Sequence, residues 1–212
     1  MYNLRSFLKE EKDNILKLSD PIALNQEITA LQQELDNKGE FPIIFVEKPK
    51  HSDGTINKIP VVCNLTASRD ITSRSLGIDD HTEFARIYSN LTSEPIKPKL
   101  VQQNDAPVQE RVIQNDNVNL LDLPVLTQHR LDPGPYLTSA HATTFDPDTN
   151  IDNTAIQRCW VKKSNKMSYY PYPASHNMRN LKKFWSKGEP CPVAFWIGHH
   201  PKVLMGTQAK LS

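Results

Sequence analysis

Asn153, Arg158 and His176 are the residues of this chain whose types could assemble one polar site. They fall in "NTAIQRCWVKKSNKMSYYPYPASHNMRN" (153–180), the first two near its start and Ser175-His176 near its end. An amide oxygen and an imidazole nitrogen are neutral ligands for a hard divalent cation, and a guanidinium fork suits a phosphate or a carboxylate. The pattern therefore fits an anion, or a cation bridging to one, beside the aromatic run Tyr169–Tyr172. Each residue also has an ordinary explanation. Asn153 follows "NID" and suits a turn, Arg158 could pair with a surface carboxylate, and His176 could help to cap a helix. The tyrosines suit a core or an interface, and His199-His200 before Pro201 suit a solvated turn. Gly-rich phosphate loops, GxSxG, HExxH and the Walker lysine motif are absent.

The elements that must position these residues read as two regions. "NLRSFLKEE" predicts a short amphipathic helix and "NILKLS" a strand. Asp20-Pro21 reads as the cap and first turn of a helix carrying Leu24, Ile28, Leu31 and Leu35 on one face, with Gly39 past its end. "FPIIFVEK" and "KIPVVCNL" predict buried strands joined by the turn "HSDGTIN", and "SRDITSRSLGI" a helix ended by Gly77. Three prolines and no period over 92–110 predict a crossing segment. Beyond it, "YLTSAHATTF", "AIQRCWV", "MSYYPYP" and "VAFWIG" read as strands, with a turn at Asp132-Pro-Gly-Pro135. "SHNMRNLKKFWSKG" reads as a helix with Met178, Leu181 and Trp185 on one side. The expected boundaries are 1–125 for an α/β region and 126–212 for a β-rich one.

Composition narrows the function classes. With 25 basic and 24 acidic residues in 212, the net charge of +1 gives no pull toward nucleic acid or an acidic membrane surface. No apolar run approaches the roughly 20 residues that span a bilayer. The charged start lacks the apolar core of a signal peptide, and Cys63, Cys159 and Cys191 are widely spaced. Free thiols and a cytoplasmic protein are expected.

The order of several segments is more specific than any of them alone. "NLRSFL", "SRDITSRSLGID", "NVNLLDLPV", "LDPGPYLTSAHATTFDPDT", "NTAIQR", the "SH" before a helix and "PVAFWIGHHP" together resemble the UbiD family of decarboxylases that use prenylated FMN (prFMN). The resemblance implies an α+β fold, a mixed α/β domain followed by part of a split β-barrel of flavin-reductase type. It implies non-oxidative, reversible decarboxylation of an aromatic or α,β-unsaturated carboxylic acid, with the cofactor supplying the chemistry and a protein acid returning the proton. By position, Asn153 and His176 correspond to metal ligands at the flavin phosphate, usually for manganese, with potassium a further candidate. Ile156 and Gln157 correspond to the strand lining the flavin, and Tyr172, Pro173, Ala174 and Ser175 to a second lining run. Arg158 corresponds to the arginine facing the reactive side of the cofactor and the substrate carboxylate. The resemblance further implies a UbiX-like flavin prenyltransferase as cofactor supplier and a homo-oligomer at full length. The family's third metal ligand and proton donor would fall beyond Ser212, so the 212 residues alone are expected to be inactive. The alternative is a non-catalytic module that binds a flavin phosphate or a partner.

Overall fold

The computed structural model of the chain describes residues 3–93 and 96–209. Its first half is built on a three-stranded sheet in the order β1-β2-β3, with β1 (Ile15–Ala23) parallel to β2 (Ile43–Lys50) and β3 (Val61–Cys63) antiparallel to it. The central strand carries the apolar run: Ile43, Ile44 and Val46 are fully buried. On one face Ile44 and Val46 meet Ile28 and Leu35 of helix α2 (Glu27–Asn37). On the other, Ile43 meets Phe7 of α1 (Leu4–Glu10) and Ile71 of α3 (Arg69–Ser75). α1 starts where Asn3 and Ser6 form a reciprocal capping box.

Asp20 and Pro21 do not start a helix; both lie in β1, and α2 begins only at Glu27. Proline is tolerated because β1 is the sheet's edge and its ladder with β2 is interrupted between Leu18 and Pro21. The chain turns into α2 through Gln26, which adopts a left-handed φ of 65°. Ile28, Leu31 and Leu35 face the core as the period requires, and Leu24 reaches it from the loop. Gly77 ends the α3 segment at φ 76°, as the sequence implied. The helix α4 (Phe84–Ser93) is an element that the sequence reading did not assign.

One ion pair links α1 to α3. Glu11 is 5% exposed, and Arg74 grips it with Nη2–Oε2 at 2.7 Å and Nε–Oε1 at 2.9 Å. The Arg74 hydrogen bonds, opposed by burial, hold the Glu11 carboxyl below its ordinary value. Removing Arg74 strands a buried carboxylate, so Arg74→Ala is expected to lower stability by about 2 kcal/mol, discounted because the arginine is partly exposed. A depressed carboxyl stabilises fully above its unfolded value, and that contribution disappears as pH falls through the lower folded value. Urea unfolding of both forms at pH 7 and pH 3 checks this, since the difference should shrink at pH 3.

Residues 96–123 cross to the second half through short 3-10 turns, with Ile96, Leu100 and Val108 exposed. Asn57 Nδ2 donates to Asp122 O at 2.7 Å, and Leu126 packs on the first core. The second sheet has the order β6-β5-β4-β7: β6 (Lys166–Tyr169), β5 (Asp152–Lys163), β4 (Tyr136–Phe145) and β7 (Ala194–Trp196). All its pairings are antiparallel and it does not close into a barrel among the described residues, consistent with part of a split barrel. "MSYYPYP" is a strand only to Tyr169, where Pro171 and Pro173 interrupt the ladder. Helix α5 (His176–Ser186) packs on one face of the sheet. Its buried side is Met178, Leu181 and Phe184; Trp185 is 56% exposed, so the expected Trp185 is replaced by its neighbour. A last helix, α6 (Pro201–Thr207), returns to the first half, where Tyr88 Oη donates to Met205 O at 2.8 Å.

Candidate functional site

Alternation along β5 decides where its side chains go. Asn153 pairs with Thr144 on β4 and shares the face covered by α5; Thr154, Ile156 and Arg158 belong to the opposite face. Asn153 is therefore in a strand and not in a turn. The turn lies just before it, at Asp146–Asn150, where Asn150 takes a φ of 57°.

On the α5 face a buried amide organises the site. Asn177, fully buried, accepts hydrogen bonds from Asn153 Nδ2 and, at 3.0 Å, from Thr144 Oγ1. Its Nδ2 donates to Ala142 O and to Tyr169 Oη, each at 3.1 Å. Asn180 Nδ2 donates to Thr144 Oγ1 at 3.0 Å and closes the network. All four hydrogen-bonding positions of the Asn177 amide are thus used. Among the described residues no hydrogen bond takes up Asn153 Oδ1, so the network commits the amide nitrogen and leaves the oxygen free.

His176 precedes Asn177 and opens α5, so the network brings Asn153 to the start of the helix that His176 begins. The cap is Ser175, whose Oγ accepts from Met178 N at 3.2 Å; His176 stands exposed. Tyr172, Pro173 and Ala174 form the exposed approach, folded back where Ser175 N donates to Tyr172 O. Open amide groups at the helix start favour an anion there. Asn153 Oδ1 and the His176 ring are groups of the type that could hold a cation beside a phosphate at this helix end. No group of three His, Cys, Asp or Glu side chains that could hold a metal occurs among the described residues, so these two supply part of a shell only.

The opposite face carries Arg158. Its Nη2 lies 2.6 Å from Asp132 Oδ1, and its guanidinium sits 4.1 Å from the centre of the Tyr136 ring. Burial works to raise the Asp132 carboxyl, but the bonds from Arg158 and from His129 N–H outweigh it and hold it below the usual carboxylate range. Tyr136 stacks on Trp160, and Gly134 makes room for that ring: a Cβ there would lie 2.7 Å from Trp160 Nε1. The Asp-Pro-Gly-Pro turn thus shapes the seat of Arg158. The arginine remains 54% exposed, with Nη1 and Nε unengaged among the described residues. Ile156, on the same face, is 37% exposed, and Gln157, on the other, is half-buried.

His199 and His200 are not in a solvated turn. His200 is 3% exposed against Phe7, and its Nδ1 accepts from Lys202 N to cap α6. His199 packs edge-on to the fully buried His141 at 4.3 Å and against Trp196 at 4.6 Å. Burial first, and His141 second, push His199 down from 6.5 to about 4. A histidine depressed by folding binds protons in the unfolded chain first, so its cost is absent above 6.5 and grows as pH falls toward 4. Acidification from pH 7 to 4 is expected to cost up to about 3 kcal/mol through this ring. Equilibrium unfolding across that range checks it, and His199→Phe should flatten the dependence.

The model of the 3-octaprenyl-4-hydroxybenzoate carboxy-lyase Rift-related domain, UbiD, matches residues 99–212, more than half of the chain. The chain belongs to the UbiD family. The matching N-terminal domain of the same carboxy-lyase covers residues 7–91. A phenolic acid decarboxylase of Sedimentibacter hydroxybenzoicus is 28% identical over 95% of this chain and 43% of its own length. An anhydromevalonate phosphate decarboxylase of Methanothermobacter thermautotrophicus is 26% identical over 98% of this chain and 45% of its own. An evolved dimeric form of the UbiD-class enzyme HmfF from Pelotomaculum thermopropionicum, solved in complex with prFMN, superposes with a TM-score of 0.88 at 28% identity. That match covers 100% of this chain and 47% of HmfF, so the UbiD chain described here spans less than half the length of these relatives.

Proposed function

We propose that this UbiD chain supplies the flavin-phosphate and carboxylate-binding side of an enzyme for non-oxidative decarboxylation of an aromatic or α,β-unsaturated acid. The observation that carries the reading is the Asn153–Asn177 network, which ties Asn153 to the first turn of α5, next in sequence to His176, and leaves its amide oxygen without a hydrogen bond among the described residues. Asn153 and His176 would hold a divalent cation, manganese being the proposed one and potassium a second, against the cofactor phosphate. When bound, prenylated FMN supplies the electron sink for the bond to carbon dioxide. The chain's own part is positional. Arg158, steadied by Asp132 and Tyr136, has free donors with which to grip a carboxylate bidentately. Ile156, beside it on the same face, offers apolar surface to a planar ring. Supply of the cofactor by a UbiX-like prenyltransferase, a homo-oligomeric enzyme and a cytoplasmic setting complete the proposal. The three cysteines, all free, agree with the last of these.

The test is carbon dioxide release from a panel of phenolic, heteroaromatic and acrylic acids by the native protein produced together with a flavin prenyltransferase. Release that requires both the acid and the cofactor is expected. A protein that carries the flavin and releases nothing from any of these acids would sink the proposal.

A further inference from the structure

A groove of about 650 Å³, lined by no residue of β5, lies where α3 and α4 of the first half meet α6 of the second. Its apolar wall is Phe84 with Met205, and Phe84 is stiffened by parallel stacking on Tyr88 at 5.6 Å. Among the residues lining it is Ser73, 1% exposed, whose Oγ has no hydrogen-bond partner among the described residues. Even the helix carbonyl one turn back, the usual partner of a mid-helix serine, is not used.

The polar groups at the mouth are unevenly committed. His81 Nδ1 is held at 2.6 Å by Asp70, and Thr82 Oγ1 gives its proton to Asp80 at 2.7 Å. Arg69 also lines the groove, and it makes no salt bridge among the described residues. An uncommitted guanidinium beside a flat apolar wall describes a one-ring anion. We propose that this groove binds a small aromatic carboxylic acid, with its carboxylate on Arg69 and its ring against Phe84 and Met205. The site is separate from Arg158 and does not depend on the decarboxylase reading. Its walls come from both halves, so occupancy would hold α6 against α3 and α4.

The experiment is a titration of the ¹⁵N-labelled protein with 4-hydroxybenzoate, followed by amide shifts. Saturable shifts at Thr72, Ser73 and Phe84 are expected, unchanged in Arg158→Ala. Arg69→Ala should weaken binding about tenfold, the effect of losing one charged hydrogen-bonded pair, and Arg69→Lys should recover part of it. The neutral amide 4-hydroxybenzamide should bind the wild type about tenfold more weakly, a comparison that needs no variant. Absence of saturable shifts at Ser73, or equal affinity for acid and amide, would overturn the assignment. So would an unchanged affinity in Arg69→Ala.

Discussion

Arg158→Ala, made in the intact enzyme loaded with its cofactor, is expected to lower kcat/KM by about a thousandfold while lowering the melting temperature by only a few degrees. The two halves of that statement have separate causes. The stability loss is modest because the arginine is 54% exposed, although it leaves the 14%-exposed Asp132 carboxylate without its cation. Activity is lost because the other β5 cation on this face among the described residues, Lys162, is turned onto the Trp160 ring at 4.2 Å, and Thr154 and Ile156 carry no charge. Arg158→Lys should recover little, since an ammonium cannot reproduce the planar fork. Asp132→Asn is expected to act through position, raising KM more than it lowers kcat, because the guanidinium would keep its seat on Tyr136 but lose its tether. Steady-state kinetics on the three variants separates these effects. Wild-type kcat/KM in Arg158→Ala would remove the arginine from the reaction.

Asn177→Leu is expected to be the most damaging single change to the second half, costing about 4 kcal/mol. Leucine nearly conserves the volume, so the cost is not a cavity. It is the simultaneous loss of partners by Asn153, Thr144, Tyr169 and the Ala142 carbonyl, all of which bond the Asn177 amide. Asn180→Ala, which removes one bond to Thr144, should cost about 1 kcal/mol and serves as the comparison. Denaturant unfolding measures both. Equal small losses would mean that the network adds little beyond its separate bonds.

Much of this UbiD fold could be read from the residues, and the failures are local and physical. The apolar runs 43–46 and 61–63 became neighbouring strands because their burial leaves few other solutions. Asp20-Pro21 misled because the same dipeptide serves a helix start and an interrupted edge strand, and only the pairing with β2 distinguishes them. His199-His200 looked solvated because a histidine pair before proline is polar in composition, whereas the rings pack on His141 and Phe7, distant in sequence, and on the nearby Trp196. The positions of Asn153, Arg158 and His176 were legible as a pattern. Their division between two faces of one sheet follows from the odd spacing of 153 and 158, a signal that strand alternation carries. Asn177 went unread beside the histidine. Its signal was a polar residue among Met178, Leu181 and Phe184 on the buried side of an amphipathic helix, the pattern of an internal hydrogen-bond hub.

The most direct measurement is native mass spectrometry with metal analysis of the protein produced together with a flavin prenyltransferase, beside its Asn153→Ala and His176→Ala variants. The wild type is expected to retain prenylated FMN and manganese in equal amounts. Each variant, folded by circular dichroism, should lose most of both. Flavin and metal contents unchanged in the two variants would contradict the assignment of the cofactor phosphate to the start of α5.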